Sequence, residues 1–193
     1  MAAPASVEAL TGGFDDPPRG SARAFREILE AMARPGTIRH VAGATPPAGL
    51  SPAAGAALLV LADRTTPVFL APGHDGVMIR DWLAFHTGAP VAAPEGASFA
   101  LGRWPALAPL DRFPLGDPAY PDRSVTLIVE MDGLSPEGAR LTGPGIETEA
   151  RLSLPETAAF AANRRLFPLG FDVLLTCGDA LAALPRTTRV EAG

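Results

Sequence analysis

Cys177 is the only cysteine of the chain, and it stands in "FPLGFDVLLTCGDA" at the end of an apolar run, beside Gly178. A thiol at a strand end next to a glycine is a common place for a nucleophile. Nucleophilic cysteine needs thiolate character, which comes from a neighbouring histidine or cation, or from a helix N-terminus. A helix beginning near Asp179 supplies the last of these. His40, His74 and His86 are all remote from Cys177 in sequence. Cysteines buried at strand ends otherwise behave as small apolar side chains, and packing is the expected role here.

The histidines form no metal box. His74 and His86 stand twelve residues apart on either side of a probable helix, and neither HxH nor HExxH occurs. A fold could join His74-Asp75 and His86 with Asp81 in one site, but a solvated or capping histidine is the expectation. "LTGPGIE", 141–147, is rich enough in glycine to present backbone N–H groups to an anion. It lacks the GxGxxG spacing and Pro144 removes a donor, so a tight turn is expected. "LPRTTRV" places Arg186 and Arg189 close together, suited to bidentate capture of phosphate or carboxylate or to an ion pair with a partner chain. Arg164-Arg165 offer the same choice.

Several chemistries are excluded by composition. All 16 basic residues are arginine. Without lysine there is no Schiff base, no pyridoxal-phosphate aldimine and no P-loop lysine. A single cysteine builds no disulfide framework, cysteine zinc site or four-cysteine cluster within the chain. The net charge is −5 with no basic stripe, which argues against nucleic acid as the main partner. "MAAPASVEAL" has no signal-peptide character, and the longest apolar run, "AAGAALLVLA", is too short to span a bilayer. A soluble cytoplasmic protein is expected.

The elements that must carry these residues follow from periodicity. At 193 residues and 47% apolar composition the chain suits a single domain with its own core. Residues 1–20 read as an irregular lead-in. "SARAFREILEAMARPG" reads as a helix capped by Ser21, with Ala22, Phe25, Ile28, Leu29 and Met32 on one face. Thr37–Ala42 reads as a strand, and 51–63 as a buried helix with Ser51 as N-cap and Pro52 in its first turn. "TPVFLA", "APVAAP" and "SFALG" read as short strands, and 75–88 as a helix between the first two. The Pro-rich stretch 104–123 has no period. Ser124–Met131 is the strongest central strand. Strand, glycine-rich turn and strand follow over 138–154, then a helix with Pro155 near its start, and closing strands at 171–178 and 187–192. The alternation gives an α/β domain with helices on a mixed central sheet.

Taken in order, "FREILEAMARPG", "LADRTTPVFL", "FHTGAP", "RLTGPGI", "FPLGFDVLLTCG" and "LPRTTRVE" resemble the H subunit of the bacterial carbon–phosphorus lyase core complex, from about Phe14 to Glu191. The resemblance implies a fold similar to the large domain of pyridoxal-phosphate-dependent transferases without the cofactor. It implies G, I and J subunits as partners, with L needed for activity, and a homodimer when isolated. It implies a share in moving the ribose-triphosphate unit of ATP onto methylphosphonate with release of adenine. The J subunit, which breaks the C–P bond with an iron–sulfur cluster, is a different chain, since one cysteine cannot hold that cluster. No catalytic, cofactor or metal residue carries across from the family. A docking subunit without its own active site is therefore the expectation. The alternative is a subunit that contributes Cys177, His74, His86, Arg186 or Arg189 to phosphate or nucleotide binding or to catalysis.

Overall fold

Two strands set the centre of the molecule, and their sequences show why. β4, Thr126–Glu130, and β7, Asp172–Cys177, pair in parallel, with Leu127 opposite Val173 and Glu130 opposite Thr176. Successive side chains on a strand point to opposite faces. Leu127, Val129, Val173 and Leu175 therefore enter one apolar core, while Ile128 and Leu174 enter the other. A sheet covered on both faces needs apolar residues at consecutive positions, which is what "LIV" and "VLL" supply.

The computed structural model describes residues 10–193. β3, Phe99–Gly102, and β2, Val68–Leu70, extend the sheet in parallel on one side. On the other side β8, Ala180–Leu184, and β1, Arg39–His40, run antiparallel, for the order β1-β8-β7-β4-β3-β2. The helices α1, Pro17–Ala33, α2, Pro52–Leu61, and α3, Val77–Thr87, cover one face. The other face carries α4, Trp104–Leu107, and α5, Ala158–Arg165. Beside them lies a small antiparallel sheet ordered β6-β5-β9, made of Ala150–Leu152, Ala139–Thr142 and Arg189–Glu191. The α/β architecture with a mixed central sheet agrees with the expectation.

Several elements differ from the sequence reading. The lead-in ends at Asp16: Pro17 and Pro18 open α1, and the Asp16 carboxylate accepts from the Arg19 N–H. Proline loses nothing in the first turn, where its missing N–H has no partner in any case. Ser21 therefore lies inside the helix and caps nothing. The buried stripe of α1 is Ala24, Ile28 and Ala31, and Phe25 and Leu29 face outward. Small side chains let α1 approach the sheet and α2 closely, and the bulkier neighbours turn away. "TIRHVA" contributes only Arg39–His40, and "APVAAP" only an isolated bridge from Val91 to Val68. The stretch 104–123 holds the short α4 and a 3-10 turn at Leu110–Arg112, and Pro155 lies ahead of α5 rather than within it.

The largest correction concerns "GDALAAL". Alanine favours helix intrinsically, yet this stretch is β8. Gly178, at φ 58°, and Asp179 form a two-residue turn that places Ala180 opposite Cys177 and returns the chain along β7. Glycine first in such a turn matches the twist of the flanking strands, and pairing along a buried strand overrides local preference.

Two polar devices fix the other end of β7. The buried Asn163 side chain donates to the Phe171 carbonyl at 2.8 Å and accepts from the Phe171 N–H at 2.9 Å, tying α5 to the strand entrance. Gly170 between them, at φ 116°, has no room for a Cβ against Asn163. Arg186 is held by Asp172, with its backbone N–H at 2.8 Å from Oδ1 and its Nη2 at 2.5 Å from Oδ2. The same guanidinium donates to the Pro121 carbonyl at 2.8 Å and to the Ser124 hydroxyl. The pair is only 12% and 20% exposed. Removing one partner strands a largely desolvated carboxylate. Arg186→Ala should therefore cost about 2–3 kcal/mol, somewhat below the range for a fully buried pair. In a domain of this size that lowers the melting temperature by roughly 5–10 °C, which a thermal denaturation curve against wild type checks.

Candidate functional site

In open α/β sheets the loops beyond the carboxyl ends of the parallel strands collect functional groups. Here β2, β3, β4 and β7 end at Leu70, Gly102, Glu130 and Cys177. His74 follows β2, Arg103 follows β3 directly, Glu130 closes β4 and Thr176 lies one residue before the end of β7. The polar residues of this edge come from separate segments, joined only by the sheet.

Glu130 is the hub. Its carboxylate is buried, at 9% exposure. Oε1 accepts the Ser51 N–H at 2.7 Å, and Oε2 accepts the Thr176 hydroxyl at 3.2 Å. Ser51 caps α2 as expected, its Oγ accepting the Ala54 N–H at 3.1 Å, and the Ala53 N–H donates to the Gly178 carbonyl at 2.9 Å. The N-terminus of α2, with its partial positive charge, thus sits on a carboxylate, a hydroxyl and a carbonyl.

His74 is buried and its Nδ1 has no hydrogen-bond partner. Burial pushes its pKa below the usual histidine value. The negative charge of Glu130 opposes that shift and the positive charge of Arg103 adds to it. The net effect favours the neutral imidazole. Arg103 itself pairs with Asp132 at 2.6 Å, and that hydrogen bond raises its pKa. This edge is capable of proton exchange at His74 and of binding a cation at Glu130, but both Glu130 oxygens already serve the fold. Among the described residues no group of three or more His, Cys, Asp or Glu side chains is placed to hold a metal ion.

The remaining candidates lie elsewhere. Cys177 is half-buried at the β7–β8 turn. The expected helix start at Asp179 is a strand turn, so that helix is not there to act on the thiol, and the N-terminus of α2 is taken up by the neighbouring Gly178 carbonyl. His40 lies on β1, across β8 from Cys177, two strand spacings or roughly 10 Å away. Its Nδ1 is 3.3 Å from Asp179. His86 sits in the last turn of α3, with Nε2 at 3.1 Å from the Thr11 carbonyl oxygen and its ring against Trp82 and Phe85. It pins the segment before α1, and the length of α3, about 16 Å, separates it from His74. Asp75 pairs with Arg80 at 2.5 Å rather than with either histidine. Arg186 and Arg189 do not act together: Arg186 is bound at the entrance of β7, while Arg189 is exposed on β9, facing Arg164 and Arg165 across a groove. "LTGPGIE" is a tight turn, with the Ile146 N–H on the Gly143 carbonyl at 3.1 Å. Gly145, at φ 82°, packs so closely on the Ala33 carbonyl at the end of α1 that a Cβ would collide with it.

Sequence reasoning missed Glu130, Thr176 and Arg103. One signal was present: a carboxylate ending the otherwise apolar strand "VTLIVE". An acid there must find donors or leave the core.

The layered body with a six-stranded mixed sheet makes this an α/β protein whose polar strand ends are tied into its own fold. Residues 12–191 match the model of the bacterial phosphonate metabolism protein PhnH, and the chain belongs to that family. It is 40% identical over 200 residues to the alpha-D-ribose 1-methylphosphonate 5-triphosphate synthase subunit PhnH of Rhizobium meliloti, covering 97% of this chain and 98% of the relative. It is 30% identical over 176 residues to the putative C-P lyase subunit protein HtxG of Stutzerimonas stutzeri, covering 87% and 84%. The resemblance read from the motifs is borne out. Among the described residues no helix is long and apolar enough to cross a membrane.

Two predictions follow from the strand-end geometry. Cys177→Ser should leave phosphonate-dependent growth largely intact in a host relying on this gene, since the expected helix at Asp179 is absent and the histidine on β1 lies two strands away; a folded variant with abolished growth would show otherwise. The second concerns pH. The unfolded chain protonates His74 near its ordinary value of about 6.5, and the folded chain resists that proton to a lower pH. Stability is therefore lost as pH falls from about 6.5 towards the folded value, and is unaffected by this group above that window. His74→Gln should flatten this part of the profile, read as urea midpoints at about pH 7.5, 6 and 5.

Proposed function

We propose that the chain is the H subunit of a ribose 1-methylphosphonate 5-triphosphate synthase, and that it serves there as a docking body without an active site of its own. In this reading the partners are the G, I and J subunits, with L required for activity. The complex moves the ribose-triphosphate unit of ATP to methylphosphonate and releases adenine. The names of the two relatives support the assignment to phosphonate catabolism. The observation that carries the docking role is the scatter of the candidate groups. His74, His86, Arg186 and Cys177 occupy four places, and the first three are buried in, or bonded to, the surrounding fold.

A docking body must offer apolar surface. Phe25 and Leu29 are exposed on α1, and Val77 and Phe85 on α3, where each would bury area against a partner. The isolated chain is accordingly expected to pair with itself, in the cytoplasm as in solution. The reading also keeps the likeness to the large domain of pyridoxal-phosphate transferases with no cofactor bound, which accords with the absence of lysine.

A second reading gives the subunit chemistry of its own. It is favoured by one observation, the buried Nδ1 of His74 without a partner. Reconstitution separates the two. The purified chain with ATP and methylphosphonate should release no adenine above the blank. Adding the partner subunits should start the release, and His74→Gln in the complex should leave its rate within about twofold of wild type, far from the loss of roughly a hundredfold or more expected of a proton-transfer residue. Adenine release by the chain alone would overturn the docking reading.

A further inference from the structure

The groove between the last turn of α5 and β9 concentrates positive charge in a protein whose net charge is −5. Arg164, Arg165 and Arg189 line an open cavity of 460 Å³ together with Ala161, Phe167 and Val190. The one carboxylate on its wall, Glu191, is already held by Arg140 at 2.8 Å. Arg165 and Arg189 are exposed and form no ion pair among the described residues. The Arg164 guanidinium rests on the Phe167 ring, 5.0 Å from its centroid, and its Nε is buried with no acceptor.

Arginines at a helix C-terminus have an ordinary explanation, because they complement the carbonyl end of the helix dipole. That explanation covers part of Arg164 and Arg165 and none of Arg189, which arrives from a strand in the other sheet. The dipole end carries about half a unit of negative charge, so two arginines already exceed it and the third is uncompensated. The rest of the lining, Ala161, Phe167 and Val190, brings no competing charge. The volume lies within the range of small-molecule pockets.

We infer that this groove is a binding site for a multiply charged oxyanion of the polyphosphate class. Arg165 and Arg189 hold it from the two walls, and the Arg164 guanidinium adds its charge beside them. Arginine is the residue suited to this because its planar fork offers paired N–H donors to two oxygens of one group. The site goes beyond the docking reading and does not rest on it, since it needs no partner subunit.

Inorganic tripolyphosphate is the probe, titrated calorimetrically into the isolated chain at fixed ionic strength, with orthophosphate and poly-glutamate in parallel. Wild type should bind tripolyphosphate saturably and orthophosphate more weakly. Arg165→Ala and Arg189→Ala, both at exposed positions, should each weaken tripolyphosphate by about tenfold. Arg23→Ala, on the exposed side of α1, should change nothing. Melting temperature gives a second readout: tripolyphosphate should raise it in wild type relative to sodium chloride of equal ionic strength, and not in the double variant. Absence of saturable binding, equal binding by all three single variants, or binding of poly-glutamate alone would overturn the inference, the last by making the groove a contact for an acidic protein segment.

Discussion

The carboxylate of Glu130 is the constraint on which the helical layer over the sheet depends. An ionised carboxylate removed from water costs several kcal/mol unless donors surround it. Glu130 meets that condition through the Ser51 N–H and the Thr176 hydroxyl, and through the positive end of α2. The requirement works in both directions. α2 is buried from Ala53 to Leu58, with small and apolar residues all round. Hydrophobic burial has no direction, so such a helix has little in its own composition to decide its rotation or its position along the sheet. Glu130 decides both by fixing where the helix starts. α1 and α3 pack on α2 in turn, and their placement follows from the same contact.

The two ends of β7 are held by different chemistry. At the carboxyl end the hydroxyl of Thr176 and the carbonyl of Gly178 receive or support α2; at the amino end Asp172 holds Arg186, and Asn163 holds Phe171. Each device joins segments distant in sequence, and each places polar atoms where water does not reach freely. Residues whose types suggest catalysis, a carboxylate, a guanidinium and an amide, are thereby engaged as fasteners. Arg164, Arg165 and Arg189 gather instead in the groove at α5 and β9, where Arg165 and Arg189 form no ion pair among the described residues.

Much of this was legible in the sequence, for reasons that particular residues make plain. The central strands were readable because "LIV" and "VLL" must fill cores on both sides of a covered sheet. α2 was readable because Ser51-Pro52 is a start signal with a mechanism. β8 was not, since "ALAAL" has a local preference for helix and only its pairing with β7 reverses it. The face of α1 was misread because Phe25 and Leu29 are larger than Ala24 and Ala31, and size suggested burial where close approach required small residues. The pairing of Arg186 with Arg189 failed because adjacency in sequence is not adjacency in space: the turn at Pro185–Thr188 sends one to the sheet edge and the other onto β9. Glu130 was visible as an anomaly, but its partners Ser51 and Thr176 lie 79 and 46 residues away, and no local pattern connects them.

The central claim is that the polar groups at the strand ends hold the fold and leave the chemistry to other subunits. Glu130→Gln tests it most directly, because glutamine keeps the shape, removes the charge and can still accept the Ser51 N–H. The measurement is the rate of adenine release from ATP and methylphosphonate by the assembled complex carrying this variant, well below the variant's melting temperature. The account predicts a chain less stable by about 1–3 kcal/mol, a complex that still assembles and a rate close to wild type. A folded, assembled complex in which adenine release is lost would contradict it and make Glu130 a residue of the reaction itself.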